Sequence, residues 1–172
     1  GERGIFNRAS ANKMAEKNGR RTIDGHEFGT NPCSEIILRD RQFCNLSEAV
    51  IRPSDTDECL KEKVRIATIL GTFQSTLTNF KYVSNMWKKN CSEERLLGVS
   101  LTGIMDSPLT NGKRNPVSNS YNSLEGLLDE LREVAIETNK IWSKKLGINQ
   151  ATAITCVKPS GTVSQLVDAA SG

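Results

Sequence analysis

Residues 28–48, FGTNPCSEIILRDRQFCNLSE, decide how this chain folds and what chemistry it can carry. Glycine tolerates a positive φ and proline holds φ at about −65°, so Gly29 and Pro32 predict a tight, shaped loop. Cys44 then opens a partly alternating run that ends at Ile51, which predicts a strand. The stretch therefore predicts a loop that carries one thiol and leads into a strand that starts with a second.

Three side chains of the predicted loop could act together. Asn31, Cys33 and Glu35 are spaced two residues apart, and in an extended segment such residues point to the same side. An amide, a thiol and a carboxylate on one face of a loop tip indicate a chemical site rather than a packing pattern. We therefore expect these three residues to converge.

The composition is that of an ordinary globular protein. The chain has 172 residues, 37% of them hydrophobic and 25% charged, with a formal net charge of +3. The slight basic excess suits phosphate ligands, but no basic run is long enough for a polynucleotide. No apolar stretch approaches the ~18 residues of a membrane span, and no signal peptide opens the chain. We expect a cytoplasmic protein that binds neither membranes nor polynucleotides.

The cysteines argue against a metal site. There are five, with no Cys-x-x-Cys pair, and the chain has a single histidine, so a structural zinc site is not expected. In a reducing cytosol the cysteines are thiols. A lone cysteine is more often a small buried hydrophobe than a catalyst, which suits Cys59, Cys91 and Cys156. That interpretation fits Cys33 poorly, because Cys33 sits in a polar loop.

A capped apolar stripe predicts one long helix after the first strand. Asp55 can cap its start, and Lys88 and Lys89 suit its end. Between them, large apolar side chains recur at spacings of three and four, which is typical of the buried face of a helix. We expect this stripe to be core; its members are Ile66, Leu70, Phe73, Leu77, Phe80 and, on its extension, Trp87.

Two further helices complete the pattern. A short one is predicted over residues 10–17, stopped by Asn18 and Gly19, and a long one is capped at Asn122 and stopped by Gly147. The expected core face of the long helix is Leu124, Leu127, Leu128, Leu131, Val134, Ala135, Thr138, Ile141 and Trp142.

Predicted strands alternate with the long helices. They cover residues 44–51, 96–101 and 153–157. Strands that alternate with helices are typical of a parallel α/β layer. The predicted fold class is therefore α/β.

A candidate anion site follows the last strand. Residues 158–164, KPSGTVS, connect this strand to a predicted helix, and such a turn offers free backbone N–H groups and the positive end of a helix dipole. Gly161 lets an anion approach the backbone, and Ser160, Thr162 and Ser164 add hydroxyl donors. The pattern differs from a Walker loop. From these residues alone, the turn is either an anion site or a simple helix cap.

Three stretches together resemble the ribonucleotide reductases. They are residues 29–36 with 43–48, residues 97–106 (LGVSLTGIMD) and residues 158–164, in the order found in that family. The resemblance is close to the adenosylcobalamin-dependent branch, and within it to the ribonucleoside-triphosphate reductases. Pro32 before Cys33 points to this branch, because the di-iron enzymes commonly have leucine there.

The resemblance implies a fold and a place within it. The family folds as a ten-stranded α/β barrel with a finger loop through its centre. This chain would be an internal, single fragment of that catalytic domain, with the finger loop at residues 28–38, strand and helix units at 44–157 and a phosphate-binding turn at 158–164. Such a fragment is expected to be inactive alone, to expose apolar edges and to aggregate.

The resemblance also implies roles for individual residues. Cys33 would form a thiyl radical that removes the 3′-hydrogen of the ribose, Glu35 would act as general base on the 3′-hydroxyl, and Asn31 would bind the sugar. Cys44 would be half of a reducing dithiol whose other cysteine lies upstream of this chain. The substrate's phosphates would bind Pro159, Ser160, Gly161, Thr162, Val163 and Ser164.

The cofactor implied is adenosylcobalamin, bound by the full-length protein. The implied partners are a ribonucleoside triphosphate, a thioredoxin-like reductant and a deoxynucleotide effector whose site lies outside this chain. Three alternatives stay open: a ribonucleoside-diphosphate reductase of another branch, a non-catalytic α/β domain that binds a phosphorylated ligand, and a thiol redox protein that uses Cys33 and Cys44.

Overall fold

The computed structural model of the chain describes residues 4–17, 27–113 and 123–171. Within these ranges, two small sheets are combined with helices, so the predicted α/β class is confirmed. A ten-stranded barrel is not seen in them and stays a prediction. The elements are α1 (Arg8–Lys17), β1 (Phe28–Thr30), β2 (Ile37–Arg39), β3 (Asn45–Val50), α2 (Asp57–Gln74), α3 (Asn85–Glu94), β4 (Leu97–Thr102), a 3₁₀ turn (Ile104–Asp106), α4 (Leu124–Leu146) and α5 (Thr162–Leu166).

The central sheet is parallel, as the alternation of strands and helices predicts. β3 pairs with β4 in a register that runs from Asn45 opposite Leu97 to Val50 opposite Thr102. This pairing confirms both of the first two strands predicted for the layer, within a residue or two at their ends.

The third predicted strand, at residues 153–157, is irregular. It lies along β4 and makes one parallel bridge, between Val99 and Thr155. Leu97 N donates to Ala153 O at 3.0 Å and Val99 N to Ile154 O at 2.8 Å. The pairing thus advances two residues along β4 for one along its partner, as at a β-bulge, and this interrupts a regular ladder.

The main core lies between the β3–β4 sheet and the helices α2 and α4. Every second residue of a strand points to the same side, and one side of this sheet carries the apolar residues. The buried cluster consists of Ala49, Ile51, Leu60, Val64, Ala67, Leu97, Val99, Leu127, Leu131, Ala135, Ala151 and Ile154.

The predicted core stripe of α2 is wrong. Ile66, Leu70, Phe73 and Leu77 are between 42% and 71% exposed. The helix instead buries a face of smaller side chains, because it lies close to the sheet: a Cβ on Gly71 would be 3.4 Å from Ser47 Oγ.

The predicted length of this helix is also wrong. α2 ends at Gln74, where the backbone N–H of Ser75 bonds the carbonyl of Gly71, and α3 begins at Asn85. Phe80 lies in the connection between them, with its ring 4.9 Å from that of Phe43. The apolar spacing that suggested one helix therefore spans a helix, a loop and a second helix.

The helix ends agree with the sequence in part. Thr56, not Asp55, caps α2, since Thr56 Oγ1 accepts a hydrogen bond from Cys59 N at 3.2 Å. Gly147 ends α4 in the left-handed conformation, as predicted, with φ of 66°. The observed cap of α4 is Ser123; Asn122, and the Asn18 and Gly19 stop predicted for α1, lie outside the described residues.

The expected core face of α4 is only partly buried. Leu127, Leu131 and Ala135 are in the core, as predicted, whereas Leu128 and Ile141 are close to half exposed. Across the described ranges, no helix is both long and apolar enough to cross a membrane.

Candidate functional site

The polar residues of the sheet lie on the side away from α2 and α4. Since alternate residues share a side, the neighbours of the buried Ala49 and Val99 point to this other side, where hydrogen bonds join the three segments of the sheet. We call it the open face; it carries Leu46, Glu48, Gly98, Ser100, Thr102, Cys156 and Lys158.

A glycine in β4 leaves room for the loop tip to pack on the open face. A Cβ on Gly98 would lie 2.4 Å from Leu46 Cδ2, 3.2 Å from Cys156 Sγ and 3.4 Å from Ile36 Cδ1. Real Cβ atoms essentially never come as close as the first of these distances. The absence of a side chain at Gly98 therefore lets Ile36 approach the sheet beside Cys156.

The loop predicted from Gly29 and Pro32 is a β-hairpin. β1 and β2 pair antiparallel, with Phe28 opposite Arg39 and Thr30 opposite Ile37. We call residues 28–39 the finger hairpin. It contains the predicted finger loop, residues 28–38, and extends it by one residue.

Asn31 closes the tip of the finger hairpin. Its backbone N–H donates to Ile36 O at 3.3 Å, and its Oδ1 accepts from Ile36 N at 3.1 Å. Its carbonyl accepts from Ser34 N at 3.0 Å, and Ser34 has a positive φ of 65°. The tip is thus a turn and not the extended segment on which the expectation of a shared face depended.

Cys33 and Glu35 differ in exposure as a result. Cys33 is exposed at the tip. Both carboxylate oxygens of Glu35 are buried and have no hydrogen-bond partner within the described part of the chain. A buried polar group without a partner is costly. The carboxylate of Glu35 can therefore accept a hydrogen bond or a proton from a ligand without giving up an existing bond.

An ion-pair network holds the base of the finger hairpin to α3. Arg39 Nη1 lies 2.7 Å from Glu93 Oε2, and Arg39 Nη2 lies 3.5 Å from Glu94 Oε1. Gln42 Nε2 donates to Glu94 Oε2 at 2.6 Å and to Asn90 O at 3.1 Å. The finger hairpin is thus anchored at its base, while Ile36 at its tip packs on the open face.

Two of the predicted site residues share the surroundings of Cys156. The pKa of the Cys156 thiol is raised to about 12, mainly by burial and also by negative charge on Cys44 and on Glu35, against the opposing effect of Lys158. The effect of a charge on a pKa weakens with distance, so Cys44 and Glu35 lie near this thiol. The structure therefore brings Cys44 and Glu35 to one region of the open face, around Cys156.

The other two cysteines differ from each other. Cys91 is buried, as expected, and burial raises its pKa. Cys59 is exposed, so the expectation of a buried hydrophobe is wrong for it. Its thiol donates to Asp55 Oδ1 at 3.3 Å, which raises the pKa of the thiol. In the described ranges, no three His, Cys, Asp or Glu side chains are grouped so as to hold a metal ion.

The candidate phosphate turn, residues 158–164, leads into α5 as predicted. Gly161 has a positive φ of 63°, and the helix begins at Thr162. The hydroxyls of Ser160 and Ser164 are used inside the protein: Ser160 Oγ donates to Glu48 Oε2 and Ser164 Oγ to Gly161 O, each at 2.6 Å. The donors that remain for an anion are the exposed Thr162 hydroxyl and the first backbone N–H groups of α5.

The far end of α5 is fastened to the ends of β3 and β4. The guanidinium of Arg52 donates to Asp168 O at 2.7 Å and to Val167 O at 2.5 Å. Gly103 N donates to Ala170 O at 2.8 Å. A cation at the last carbonyls of a helix is favourable, so these contacts hold the turn in place from its far side.

Glu48 is a site residue that the sequence analysis missed. Its Oε2 accepts hydrogen bonds from Thr102 Oγ1 at 2.7 Å and from Ser160 Oγ at 2.6 Å. Its Oε1 lies 3.8 Å from Lys158 Nζ. The signal available in the sequence was a carboxylate inside a predicted strand, at the alternation position opposite to the apolar residue Ala49.

The sequence is similar to curated proteins named adenosylcobalamin-dependent ribonucleoside-triphosphate reductase. The protein of Lactobacillus leichmannii is 28% identical over 167 residues, which are 87% of this chain and 22% of that protein. That of Lactobacillus acidophilus is 29% identical over 197 residues, covering 100% and 25%. That of Lactobacillus helveticus is 30% identical over 170 residues, covering 87% and 22%. The chain thus spans a quarter or less of the length of these relatives.

The fold is similar to that of a solved structure from the same class. A crystal structure of a B12-dependent (class II) ribonucleotide reductase superposes with a TM-score of 0.63 at 27% identity, covering 84% of this chain and 22% of that one. No protein-family model matches the chain. The resemblance predicted from the three motifs is confirmed by these comparisons.

Proposed function

We propose that this chain is the finger-hairpin segment of an adenosylcobalamin-dependent ribonucleotide reductase, which converts ribonucleoside triphosphates to 2′-deoxyribonucleoside triphosphates. The observation that carries the proposal is the pairing of an exposed thiol, Cys33, with a buried and unpartnered carboxylate, Glu35, on one hairpin tip. The similarity to named reductases over at least 84% of the chain supports it. In the complete protein, we expect this segment to form part of a ten-stranded barrel.

The reaction requires radical chemistry, because hydroxide is a poor leaving group from an unactivated carbon. When bound, adenosylcobalamin supplies the radical, and the protein supplies binding and orientation. The exposure of Cys33 fits this division, because its thiol can be reached from outside the described residues. The thiyl radical at Cys33 would take the 3′-hydrogen atom of the ribose.

Glu35 and Asn31 would act on the same sugar. A carboxylate without a hydrogen-bond partner is suited to take the proton of the 3′-hydroxyl as general base. This makes the 2′-hydroxyl easier to expel as water once the reducing dithiol donates a proton to it. The Oδ1 atom of Asn31 already accepts from Ile36 N. The Nδ2 group of Asn31 is therefore the end of the amide that would donate to the sugar.

Cys44 would supply reducing electrons. Two electrons are needed to replace the 2′-hydroxyl by hydrogen, and a dithiol provides them by becoming a disulfide. Cys44 is half-buried, next to the start of β3 and close to the region of Glu35 and Cys156. Its partner cysteine would lie outside this chain, and a thioredoxin-like reductant would restore the pair.

The phosphates of the substrate would bind the turn at residues 158–164. The exposed residues Pro159, Gly161, Thr162 and Val163 would face them, with donors from the Thr162 hydroxyl and the N–H groups of α5. Ser160 and Ser164 would support the turn from inside through their hydroxyls. The deoxynucleotide effector would bind elsewhere in a full-length cytoplasmic enzyme.

The test is the activity of the complete reading frame that contains this segment. The purified protein receives a ribonucleoside triphosphate, adenosylcobalamin and a dithiol, with iron removed, and the deoxynucleotide formed is measured. We expect product with the natural protein and none with Cys33→Ser. The matched control is Cys59→Ser, which removes another exposed thiol and should leave the rate unchanged.

Each other outcome would change the proposal. Product that appears only with a di-iron partner subunit would keep the reductase but overturn the cobalamin branch. Product from the diphosphate and not the triphosphate would overturn the substrate class. An absence of product under every condition would leave the phosphate-binding domain or the thiol redox protein to be tested.

A further inference from the structure

We propose that Glu48 is a positioning residue for the phosphate turn: it holds Ser160 and Lys158 so that the start of α5 faces the phosphates of the substrate. This inference rests on the proposed function, since it concerns the same substrate site. It assigns a role to a side chain in the middle of β3. Glu48 ends the first of the three motifs, but it is not one of the residues expected to be catalytic or to bind phosphate.

The contacts of Glu48 link the turn to the sheet. Through Oε2 the carboxylate accepts from Thr102 Oγ1, at the end of β4, and from Ser160 Oγ, in the turn. Both donors are buried, with Thr102 0% and Ser160 4% exposed. One oxygen atom therefore connects β3, β4 and the turn, and Ser160 cannot move without breaking a short hydrogen bond to a charged group.

Lys158 is held from two sides. Its backbone N–H donates to Ser100 Oγ at 3.0 Å, and its Nζ lies 3.8 Å from Glu48 Oε1 and 3.0 Å from Pro159 O. The first residue of the turn is thus fixed to β4 through its backbone and to β3 through its side chain. Together with Ser160, these contacts determine where the chain enters Gly161 and the first turn of α5.

Charge explains why Glu48 would act through the turn and not by touching a phosphate. A carboxylate repels an anionic ligand when both are desolvated. Here both oxygens of Glu48 already have partners, namely two hydroxyl donors at Oε2 and the ammonium group of Lys158 at Oε1. Removing the carboxylate would leave Ser160 Oγ and Thr102 Oγ1 buried without their acceptor, so the turn would be free to change its direction.

The experiment compares five variants of the full-length protein with adenosylcobalamin and a dithiol present. They are Glu48→Ala, Glu48→Gln, Ser160→Ala, the double variant Glu48→Ala/Ser160→Ala and the control Thr68→Val. For Glu48→Ala we expect KM for the ribonucleoside triphosphate to rise by about tenfold while kcat changes by less than about threefold, since the catalytic groups at the finger hairpin are untouched. Glu48→Gln keeps an acceptor oxygen, so its KM should rise by only about threefold.

The other variants separate positioning from general damage. Ser160→Ala should raise KM as Glu48→Ala does, and the double variant should be no worse than Glu48→Ala alone, because both changes break the same link. Thr68→Val removes an equally buried threonine hydroxyl, which donates to Val64 O within α2 at 2.7 Å, so KM should stay within about twofold of the natural protein. An unchanged KM in folded Glu48→Ala, or a lower kcat at constant KM, would overturn the inference.

A binding measurement keeps the inference independent of catalysis. Calorimetry with inorganic tripolyphosphate should show binding to the natural protein and about tenfold weaker binding to Glu48→Ala and Ser160→Ala. If the natural protein makes no deoxynucleotide but binds tripolyphosphate with this dependence, the proposed function fails and the role of Glu48 stands. If the natural protein makes deoxynucleotide and the variants bind tripolyphosphate as it does, only the role of Glu48 fails.

Discussion

At the scale of single residues, Glu35 combines burial with the absence of a partner. Both of its carboxylate oxygens are buried without a hydrogen-bond partner in the described ranges, and its neighbour Ile36 is fixed by Asn31. The cost of burying a carboxylate in this way is offset only when a ligand supplies a donor. We therefore expect Glu35 to lower the stability of the free protein and to contribute to activity when the substrate is bound.

The first prediction concerns Glu35→Gln. Loss of a general base lowers a rate by about 10²- to 10⁴-fold, so we expect kcat of the full-length enzyme to fall by this factor. The melting temperature should stay equal or rise, because a neutral amide is less costly to bury than a carboxylate. The control is Glu62→Gln, which removes an exposed carboxylate that is paired with Arg65. Full activity of Glu35→Gln would exclude the base role.

The second prediction concerns the thiol of Cys156. Because burial and nearby negative charge raise its pKa to about 12, the reactive thiolate is scarce at neutral pH. We expect iodoacetamide at pH 8 to label Cys33 and Cys59, which are exposed, and to leave Cys156 unlabelled. Peptide mass spectrometry would show this, and a sample in urea, in which all cysteines react, is the control. Rapid labelling of folded Cys156 would contradict the structure.

At the scale of elements, the packing of the finger hairpin on the sheet depends on Gly98. A Cβ at this position would meet Leu46, Cys156 and Ile36 at once. The hairpin reaches the sheet at this point, and its base is held separately by Arg39 and Gln42. A change at Gly98 should therefore shift the tip while the base stays anchored.

The third prediction compares two buried glycines. Overpacking a core costs about 1–3 kcal/mol, so Gly98→Ala should destabilise the protein by this amount and lower the reductase rate by displacing the tip. Gly71→Ala is the matched control, because a Cβ there meets its neighbours at 3.4–3.7 Å, an ordinary contact distance. Alanine also favours a helix by up to about 1 kcal/mol over glycine. Chemical denaturation of both variants would test this, and equal effects would contradict it.

The elements also show what the sequence could and could not predict. The strands β3 and β4 and the stop of α4 at Gly147 depend on local signals, and the structure has them within a residue or two of where they were predicted. The third predicted strand is present only as a single bridge. The buried face of α2 does not depend on local signals. It depends on how closely the helix packs on the sheet. The small residues Gly71 and Ala67 are buried there, whereas the larger Leu70 and Phe73 are exposed.

The site was predictable to a similar extent. Cys33, Glu35 and Asn31 stand together in the sequence, so their shared loop could be predicted. The β-hairpin, and the turn that separates the exposed thiol from the buried carboxylate, could not. Glu48 could not be found in this way, because its link to Ser160 joins residues 112 positions apart. Such a contact exists only after β4 has paired with β3 on one edge and with the irregular third strand on the other.

At the scale of the whole molecule, the described part of the chain has an apolar surface on its outer side. Ile66, Leu70 and Phe73 of α2, and Leu77 in the connection that follows it, are all at least 42% exposed. The ring of Phe73 also lies 5.3 Å from that of Trp142 on α4, which extends the surface across both helices. Large contiguous apolar patches on a monomer favour association. The chain in isolation should therefore self-associate.

The last prediction tests this surface with charge. In the isolated chain, a double variant Leu70→Glu and Leu77→Glu should reduce self-association in sedimentation velocity. Circular dichroism should keep its helical signal, because glutamate is a good helix former at position 70 and Leu77 lies outside the helices. Leu60→Glu is the contrasting variant: Leu60 is 0% exposed, and a buried unpaired charge should unfold the chain. A natural chain that sediments as a monomer and melts sharply and reversibly would show that the exposed stripe does not drive association. The exposed apolar residues of α2 would then be an ordinary solvent-exposed surface of the isolated chain.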